Sequence, residues 1–195
     1  MASYTIYDEH ATDPEHDKIG GNSLLPVSIA WPRDRHGRKM LFLASISADL
    51  LQSQCNIAIP EGSILSIFCP YKKDEIEYAI DMARGREPGY LIAHLPDAPR
   101  QEFDYPILQG KKLRLNENVE TDEDEFSEDV EDKIGGIPNW LQDRFDYTGY
   151  DFVLQISGMY LGKVIPTHKD VLMNGMLYVF YNAANNSGIV TLQYS

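Results

Sequence analysis

Cysteine and positive charge are scarce in this chain of 195 residues. The two cysteines, Cys55 and Cys69, are too few for a disulfide framework and lack the paired spacing of a zinc site. Only 17 basic residues stand against 30 acidic ones, which gives a formal net charge of −13. Because phosphate recognition needs clustered lysine and arginine, we expect no nucleic-acid partner.

Long apolar runs are also missing. No stretch approaches the roughly 20 apolar residues that cross a bilayer, and the first residues have neither the basic start nor the apolar stretch of a signal peptide. We therefore expect no membrane partner and a cytoplasmic location.

Motifs of known catalytic, phosphate-binding and metal sites are absent from the sequence. There is no G-x-S-x-G nucleophile elbow, P-loop or EF-hand pattern. His10 and His16 lie near acidic residues but lack the helical spacing that aligns two imidazoles on a metal, which favours a loosely attached terminus. His94, in an apolar run, is predicted to be a core histidine. We therefore expect no enzymatic activity, no cofactor and no metal.

The composition and the strand-like runs predict the fold class. An apolar content of 43% is sufficient for a packed core. Residues 76–82 alternate apolar and polar side chains, which predicts a half-buried strand and leaves a helix as the alternative. Short helices are expected at 48–54, 126–132 and 167–173. Runs rich in Ile, Val, Phe and Tyr predict further strands at 63–69, 90–95, 103–108, 113–119, 175–181 and 189–194. The predicted fold class is α+β and β-rich.

The string Asp-Lys-Ile-Gly-Gly occurs twice, at residues 17–21 and 132–136. Each copy is followed by a stretch with proline and tryptophan, then by an apolar run at 41–47 or 152–157. We interpret this pattern as an internal duplication that gives two structurally related halves packed as one globular unit. Each Gly-Gly pair predicts a tight turn with positive φ, which presents the following proline and tryptophan to the core.

The predicted organisation has four segments. An N-terminal extension covers 1–17, a first half 18–115, an acidic linker 116–132 and a second half 133–195. The linker contains ten carboxylates and no basic residue.

The second repeat and the runs that follow it carry a family resemblance. Lys133–Gln142, with the sequence Lys-Ile-Gly-Gly-Ile-Pro-Asn-Trp-Leu-Gln, is followed by Leu154–Ile156 and by Gly175–Phe180. In these segments the chain resembles the YwqG family of bacterial proteins, and the resemblance extends over most of residues 18–195. Ser45 stands where the family usually has glutamine.

The resemblance implies protein binding rather than catalysis. YwqG proteins recur beside toxins in bacterial polymorphic-toxin loci and look like immunity proteins there. More distant relatives, the programmed-cell-death-protein-two group, are similar in fold and act as chaperones of a basic ribosomal protein.

The acidic segment has two interpretations. A block of like charge is usually a solvated linker, but concentrated negative potential also speeds encounter with a cationic protein. The resemblance favours docking. Residues that anchor protein interfaces are enriched in tyrosine and tryptophan. Trp140 is predicted to be core, whereas the tyrosines that follow it, beside acidic residues, are expected to be exposed. The predicted partner-binding residues are Glu117, Glu120, Asp122, Glu123, Asp124, Glu125, Glu128, Asp129, Asp143, Asp146, Tyr147 and Tyr150.

Three functions follow as hypotheses. The leading one is a non-catalytic immunity protein that neutralises a basic bacterial toxin through an acidic and aromatic surface. The second is a chaperone of a basic client protein, which would use the same kind of surface. The third is a small-ligand binder or hydrolase that uses the cleft between the two halves.

Overall fold

Ten strands and three short helices make up the described part of the chain. The computed structural model describes residues 2–8, 16–100, 102, 108–118 and 132–194. The strands are β1 (Ala2–Asp8), β2 (Lys18–Ile19), β3 (Leu41–Ser47), β4 (Ile64–Cys69), β5 (Tyr90–His94), β6 (Lys111–Asn118), β7 (Lys133–Ile134), β8 (Asp151–Ser157), β9 (Met176–Asn182) and β10 (Ser187–Gln193). The helices are α1 (Ala48–Cys55), α2 (Glu77–Ala83) and α3 (Gly158–Val164), with a 3-10 helix at Pro166–His168.

All ten strands belong to one antiparallel sheet, which confirms the predicted β-rich α+β class. Its order is β10-β9-β8-β7-β1-β6-β2-β3-β4-β5. The first half supplies β2 to β5 on one side, the second half supplies β7 to β10 on the other, and β1 and β6 join them. The two outermost strands, β5 and β10, lie close together. Gly89, which directly precedes β5, donates its N–H to Val190 O of β10 at 3.3 Å.

The two halves interrupt their sheets at matching positions. The pairing of β3 with β4 shifts register at Leu43, and the pairing of β8 with β9 shifts at Val153. In both cases the carbonyl of the shifted residue accepts a hydrogen bond from a repeat glycine, Gly20 at 2.7 Å and Gly135 at 2.8 Å. A β-bulge of this kind bends the strand and increases its twist. The match supports the interpretation of internal duplication.

The helix that follows each bulged strand begins in the same way. Ser47 and Ser157 are the N-caps of α1 and α3, and each serine side chain accepts a hydrogen bond from the backbone of the first turn. The backbone N–H of each N-cap serine donates to the aspartate that begins the repeated string, Asp17 at 2.6 Å and Asp132 at 2.5 Å. The repeated aspartates therefore fix the two helix starts.

Three structural predictions need correction or completion. Residues 2–8, predicted to be part of a loose extension, form β1 in the centre of the sheet between β6 and β7. These partners are more than 100 residues away in sequence, so no local pattern indicated the pairing. The predictions for 103–107 and 126–131 lie outside the described residues.

The strand predicted at 76–82 is wrong and the helical alternative is confirmed, because Glu77–Ala83 form α2. Tyr78, Ala79 and Met82 are buried at helical spacing, whereas Ile76 is 49% exposed. The alternation of apolar residues therefore did not correspond to one buried face. The helix expected at 167–173 is also wrong, since the chain there makes only the 3-10 helix and turns, and α3 ends before it.

The core is shared by both halves. One face of the sheet, here called the inner face, carries apolar side chains of β3, β4, β8, β9 and β10 that pack with the three helices into one cluster. On the opposite, outer face each half has its own aromatic cluster, built around Phe68 in the first half and Phe180 in the second. Since neither half buries its inner face alone, the two fold as one unit.

The Gly-Gly turns are confirmed, and one of them allows close contact between the halves. Gly20, Gly21, Gly135 and Gly136 all have φ between +67° and +75°. A Cβ on Gly135 would lie 2.3 Å from the carbonyl oxygen of Gln54 at the end of α1. The second repeat thus lies directly against the first-half helix, where no side chain fits.

Replacing Gly135 by alanine should therefore destabilise the protein more than replacing Gly37. Gly37 also has positive φ (+78°), but an added Cβ there would meet nothing within 4 Å. We expect Gly37→Ala to lower the free energy of unfolding by about 1 kcal/mol. Gly135→Ala should lower it by about 3 kcal/mol because overpacking adds to the backbone strain. Urea unfolding of both variants measures the difference, and equal losses would contradict the packing argument.

Candidate functional site

The outer face of the second half is covered by a loop rather than by a helix. Residues 135–150, here called the second-half loop, contain no helix or strand and cross β8, β9 and β10. Trp140, at the centre of the loop, is 6% exposed and stacks on Tyr178 with ring centroids 4.9 Å apart. The prediction that Trp140 belongs to the core is confirmed.

Side chains of the sheet satisfy the backbone of this loop. The Gln155 amide oxygen accepts from Asn139 N–H at 2.9 Å, and its amide nitrogen donates to the Asn139 side-chain oxygen at 3.1 Å. The Tyr178 hydroxyl donates to Asn139 O at 2.6 Å and accepts from Leu141 N–H at 3.2 Å. Both sheet side chains are at most 1% exposed. Buried backbone groups without such partners would be costly.

Gln193 of β10 continues this arrangement along the loop. Its amide oxygen accepts from the N–H groups of Leu141 and Gln142, both at 3.1 Å. Its amide nitrogen donates to the carbonyl of Asp143 at 2.7 Å. Three buried polar side chains, one from each of β8, β9 and β10, thus fix the loop in a single position.

Between the fixed loop and the sheet lies an aromatic cleft of about 570 Å³ that is open to solvent. The rings in it form a connected set. Tyr147 lies 4.9 Å from Phe180 and 5.4 Å from Phe145, and Phe145 meets Trp140 edge-on at 5.5 Å between ring centroids. The cleft is lined by Gly136, Ile137, Pro138, Trp140, Arg144, Phe145, Asp146, Tyr147, Tyr150, Phe152 and Phe180.

Polar groups stand at the edge of the cleft. Burial raises the pKa of Tyr147, so its hydroxyl stays neutral at physiological pH. The Tyr150 hydroxyl is hydrogen-bonded to Ser187 Oγ at 2.8 Å. Asp146 and Arg144 are exposed, and the Asp146 carboxylate accepts from the Thr148 hydroxyl at 3.3 Å. The cleft therefore combines apolar walls with a charged, solvated edge.

The structure brings together one part of the predicted partner-binding set. Asp146, Tyr147 and Tyr150 line the aromatic cleft, and both tyrosines are half-buried rather than exposed. Asp143 is exposed on the same loop, whereas the backbone of Glu117 lies in β6 opposite Ser3. The remaining seven residues lie outside the described residues: Glu120, Asp122, Glu123, Asp124, Glu125, Glu128 and Asp129.

The sequence prediction missed Phe152 and Phe180 as cleft residues. Both lie in runs that the sequence analysis recognised only as apolar strands, with no assignment of the faces. The spacing offers a signal, because Met176, Tyr178 and Phe180 alternate with the inner-face residues of β9. Large apolar and aromatic residues at successive outward positions of a strand indicate that the outer face is covered as well.

In the part of the chain that is described, Cys69 and His94 are both buried. No group of three or more His, Cys, Asp or Glu side chains is placed there to hold a metal ion. Burial raises the pKa of the Cys69 thiol to about 12, which makes it a poor nucleophile. His94 is 6% exposed and its ring contacts Ser66 Oγ and Leu95 O, both at 2.8 Å, as predicted for a core histidine.

A second cleft, of about 290 Å³, lies between residues 35–38 and α2. Arg35 pairs with Asp81 and, at 3.3 Å, with Glu87, and Arg86 pairs with Asp81 at 2.6 Å. The two carboxylates are nearly buried and the arginines half-exposed. Because each of these guanidinium groups already faces a carboxylate, the arrangement is an ion-pair network that joins a loop to a helix.

Comparison with protein families identifies the chain. Residues 17–174 match the model of a family described as a domain of unknown function, DUF1963. The chain belongs to the DUF1963 family. The matched residues of this DUF1963 protein include the second-half loop and β8 but end before β9, so Phe180 and Gln193 lie beyond the match. No curated protein matches the chain. Among its described residues, none of the helices has the length and apolar character needed to cross a membrane.

The carboxylates of this DUF1963 protein should divide into structural and surface groups. Asp132→Ala leaves the buried N–H of Ser157 without its acceptor, so we expect the free energy of unfolding to fall by about 1–3 kcal/mol. The exposed residue Asp146 is the matched control, and Asp146→Ala should change stability by about 0.5 kcal/mol or less. Thermal or urea unfolding gives both values. Equal effects would show that Asp132 does not fix the start of α3.

His94 should make stability depend on pH. Desolvation lowers its pKa in the folded protein, while the unfolded chain protonates near the ordinary value. Below the unfolded pKa of about 6.5 the folded state therefore binds fewer protons, so the stabilisation from His94 is complete above that pH and is lost as pH falls through the lowered pKa of the folded state. The unfolding free energies of the protein and of His94→Gln should converge between pH 7.5 and pH 5. A constant difference would exclude this coupling.

Proposed function

We propose that this DUF1963 protein is a non-catalytic protein-binding protein. More specifically, we propose that it is a YwqG-like immunity protein that neutralises a basic toxin. The observation that carries the proposal is the fixed second-half loop, which holds half-buried rings of an open cleft beside the exposed Asp146 carboxylate and exposes Asp143 elsewhere along the loop. Aromatic anchors at the centre of a patch with a polar rim are typical of protein interfaces.

Charge supports a cationic partner. The net charge of −13 creates a negative potential that accelerates encounter with a basic protein, by roughly 10- to 1000-fold at low salt. The acidic segment 116–132 holds ten of the carboxylates and directly precedes the second half. In the proposed mechanism the carboxylates steer the partner, and the rings of the cleft then exclude water from the contact and slow dissociation.

The same surface physics would serve a chaperone of a basic client. The identity of the captured partner separates the two functions. A toxin encoded beside this gene supports immunity, whereas a housekeeping protein with a basic segment supports a chaperone.

Carboxylates and rings should affect different rate constants. The full chain, used as bait, is expected to capture a basic protein that mass spectrometry identifies, and surface plasmon resonance then measures the rates. Replacing Asp122, Glu123, Asp124 and Glu125 by their amides should slow association and flatten its salt dependence. Tyr147→Ala should speed dissociation about tenfold or more.

Tyr160→Ala provides the matched control, because Tyr160 is an exposed tyrosine on α3 outside the aromatic cleft. It should leave both rate constants unchanged. An association rate that stays constant over a tenfold range of salt would refute steering. A partner that binds Tyr147→Ala and the parent protein equally well would refute the role of the cleft.

A further inference from the structure

The two halves carry the same phenylalanine pair on their outer faces. Phe42 lies opposite Phe68 across β3 and β4, with ring centroids 5.6 Å apart and planes at 62°. Phe152 lies opposite Phe180 across β8 and β9, with centroids 5.7 Å apart and planes at 58°. Each first member directly precedes the bulge of its strand. The outer faces are therefore built on equivalent positions.

A tryptophan contacts the second phenylalanine in both halves. Trp31 meets Phe68 edge-on at 5.1 Å, and Trp140 lies parallel to Phe180 at 6.0 Å. Both tryptophans follow a repeated Asp-Lys-Ile-Gly-Gly string. The tilt of the tryptophan ring differs between the two aromatic clusters, but in both the tryptophan packs against the second phenylalanine of the pair.

In the first half an arginine of the chain itself covers the aromatic cluster. The guanidinium carbon of Arg100 lies 5.5 Å from the centre of the Trp31 ring. One terminal nitrogen donates to the carbonyls of Pro26 at 3.0 Å and Ile29 at 2.9 Å, and Nε donates to the Glu102 carboxylate at 2.6 Å. The side chain is only 15% exposed. This arginine therefore has an aromatic face, two carbonyls and a carboxylate as partners.

The second half leaves an open cleft of about 570 Å³ beside its equivalent cluster. Half-buried rings of Phe145, Tyr147, Tyr150 and Phe152 line it, and the exposed carboxylate of Asp146 stands among them. We propose that this cleft binds an arginine side chain of the partner protein, in the manner in which the first half holds Arg100. The inference rests on the proposed protein-binding function and names the group that the cleft recognises.

The chemistry of the cleft favours arginine over other side chains. A guanidinium is planar and weakly hydrated, so it stacks on aromatic rings while its edge donates hydrogen bonds to a carboxylate. A lysine ammonium ion holds its water more strongly and matches only the charge. An apolar side chain would contact the rings but form no ion pair with the Asp146 carboxylate. The net charge of −13 favours any cationic ligand, and the rings select the planar one.

Arg144 is the basic residue among those that line the cleft, and it supplies a sign test. Its positive charge opposes an incoming arginine. Arg144→Gln should therefore bind an arginine ligand more tightly, whereas Asp146→Asn should bind it more weakly. Opposite effects of two neighbouring exposed substitutions cannot arise from a general loss of folding.

The direct experiment titrates the ¹⁵N-labelled full chain with the peptide acetyl-Gly-Arg-Gly-amide and follows the two tryptophan indole signals by NMR. Trp140→Phe assigns the signals. We expect the Trp140 indole to shift saturably at millimolar peptide, while the Trp31 indole, beside the resident Arg100, stays in place. The same peptide with citrulline, which is nearly isosteric but uncharged, should bind about tenfold more weakly. Tyr147→Leu should weaken arginine binding by a similar factor.

Three results would overturn the inference: no saturable shift, an equal response to citrulline, or an equal shift of both indoles. If partner binding depends on Tyr147 while no arginine peptide shifts Trp140, the arginine inference fails and the proposed function stands. If the peptide binds but partner binding ignores Tyr147, the proposed function fails, and with it the assignment of the arginine to a partner protein.

Discussion

The second-half loop can lie on the sheet only because the sheet supplies hydrogen-bond partners for its backbone. A segment without helix or strand brings donors and acceptors to the outer face that water no longer reaches. The nearly inaccessible side chains of Gln155, Tyr178 and Gln193 form hydrogen bonds with the backbone donors and acceptors of residues 139–143. This constraint determines where Trp140 stacks and where the chain turns outward, and hence where an aromatic cleft opens at the surface. The candidate site is thus a consequence of buried polar chemistry beneath it.

The first half shows what happens when the same positions carry other residues. Ser45 pairs with Ser66 in β3 and β4, at the register that Gln155 and Tyr178 occupy in β8 and β9. Two short hydroxyl side chains cannot reach a covering loop as glutamine and tyrosine do. There the cover includes Arg100, whose guanidinium is held by carbonyls and Glu102. A shared inner core thus carries two different outer faces, one closed by Arg100 and the other with an open cleft.

The predictable part of this structure is the part that local pattern encodes. Strand-length apolar runs predicted β4, β5, β9 and β10, and glycine pairs predicted the turns with positive φ, because both depend on neighbours in sequence. The central strand β1 depends on partners more than 100 residues away, and α2 buries a face that alternation did not show. Asp146, Tyr147 and Tyr150, which line the cleft, were predicted as partner-binding residues from the composition near Trp140. Phe152 and Phe180 were missed because their role depends on which face of the sheet the loop covers.

Hydrogen–deuterium exchange of the full chain, alone and in complex with its captured partner, locates the surface that the partner covers. We expect the partner to slow exchange of amides at 140–150 and to leave those of α2 unchanged. Slowed exchange at α2 and residues 35–38, with none at 140–150, would contradict this expectation and place the interface on the ion-pair network of the first half.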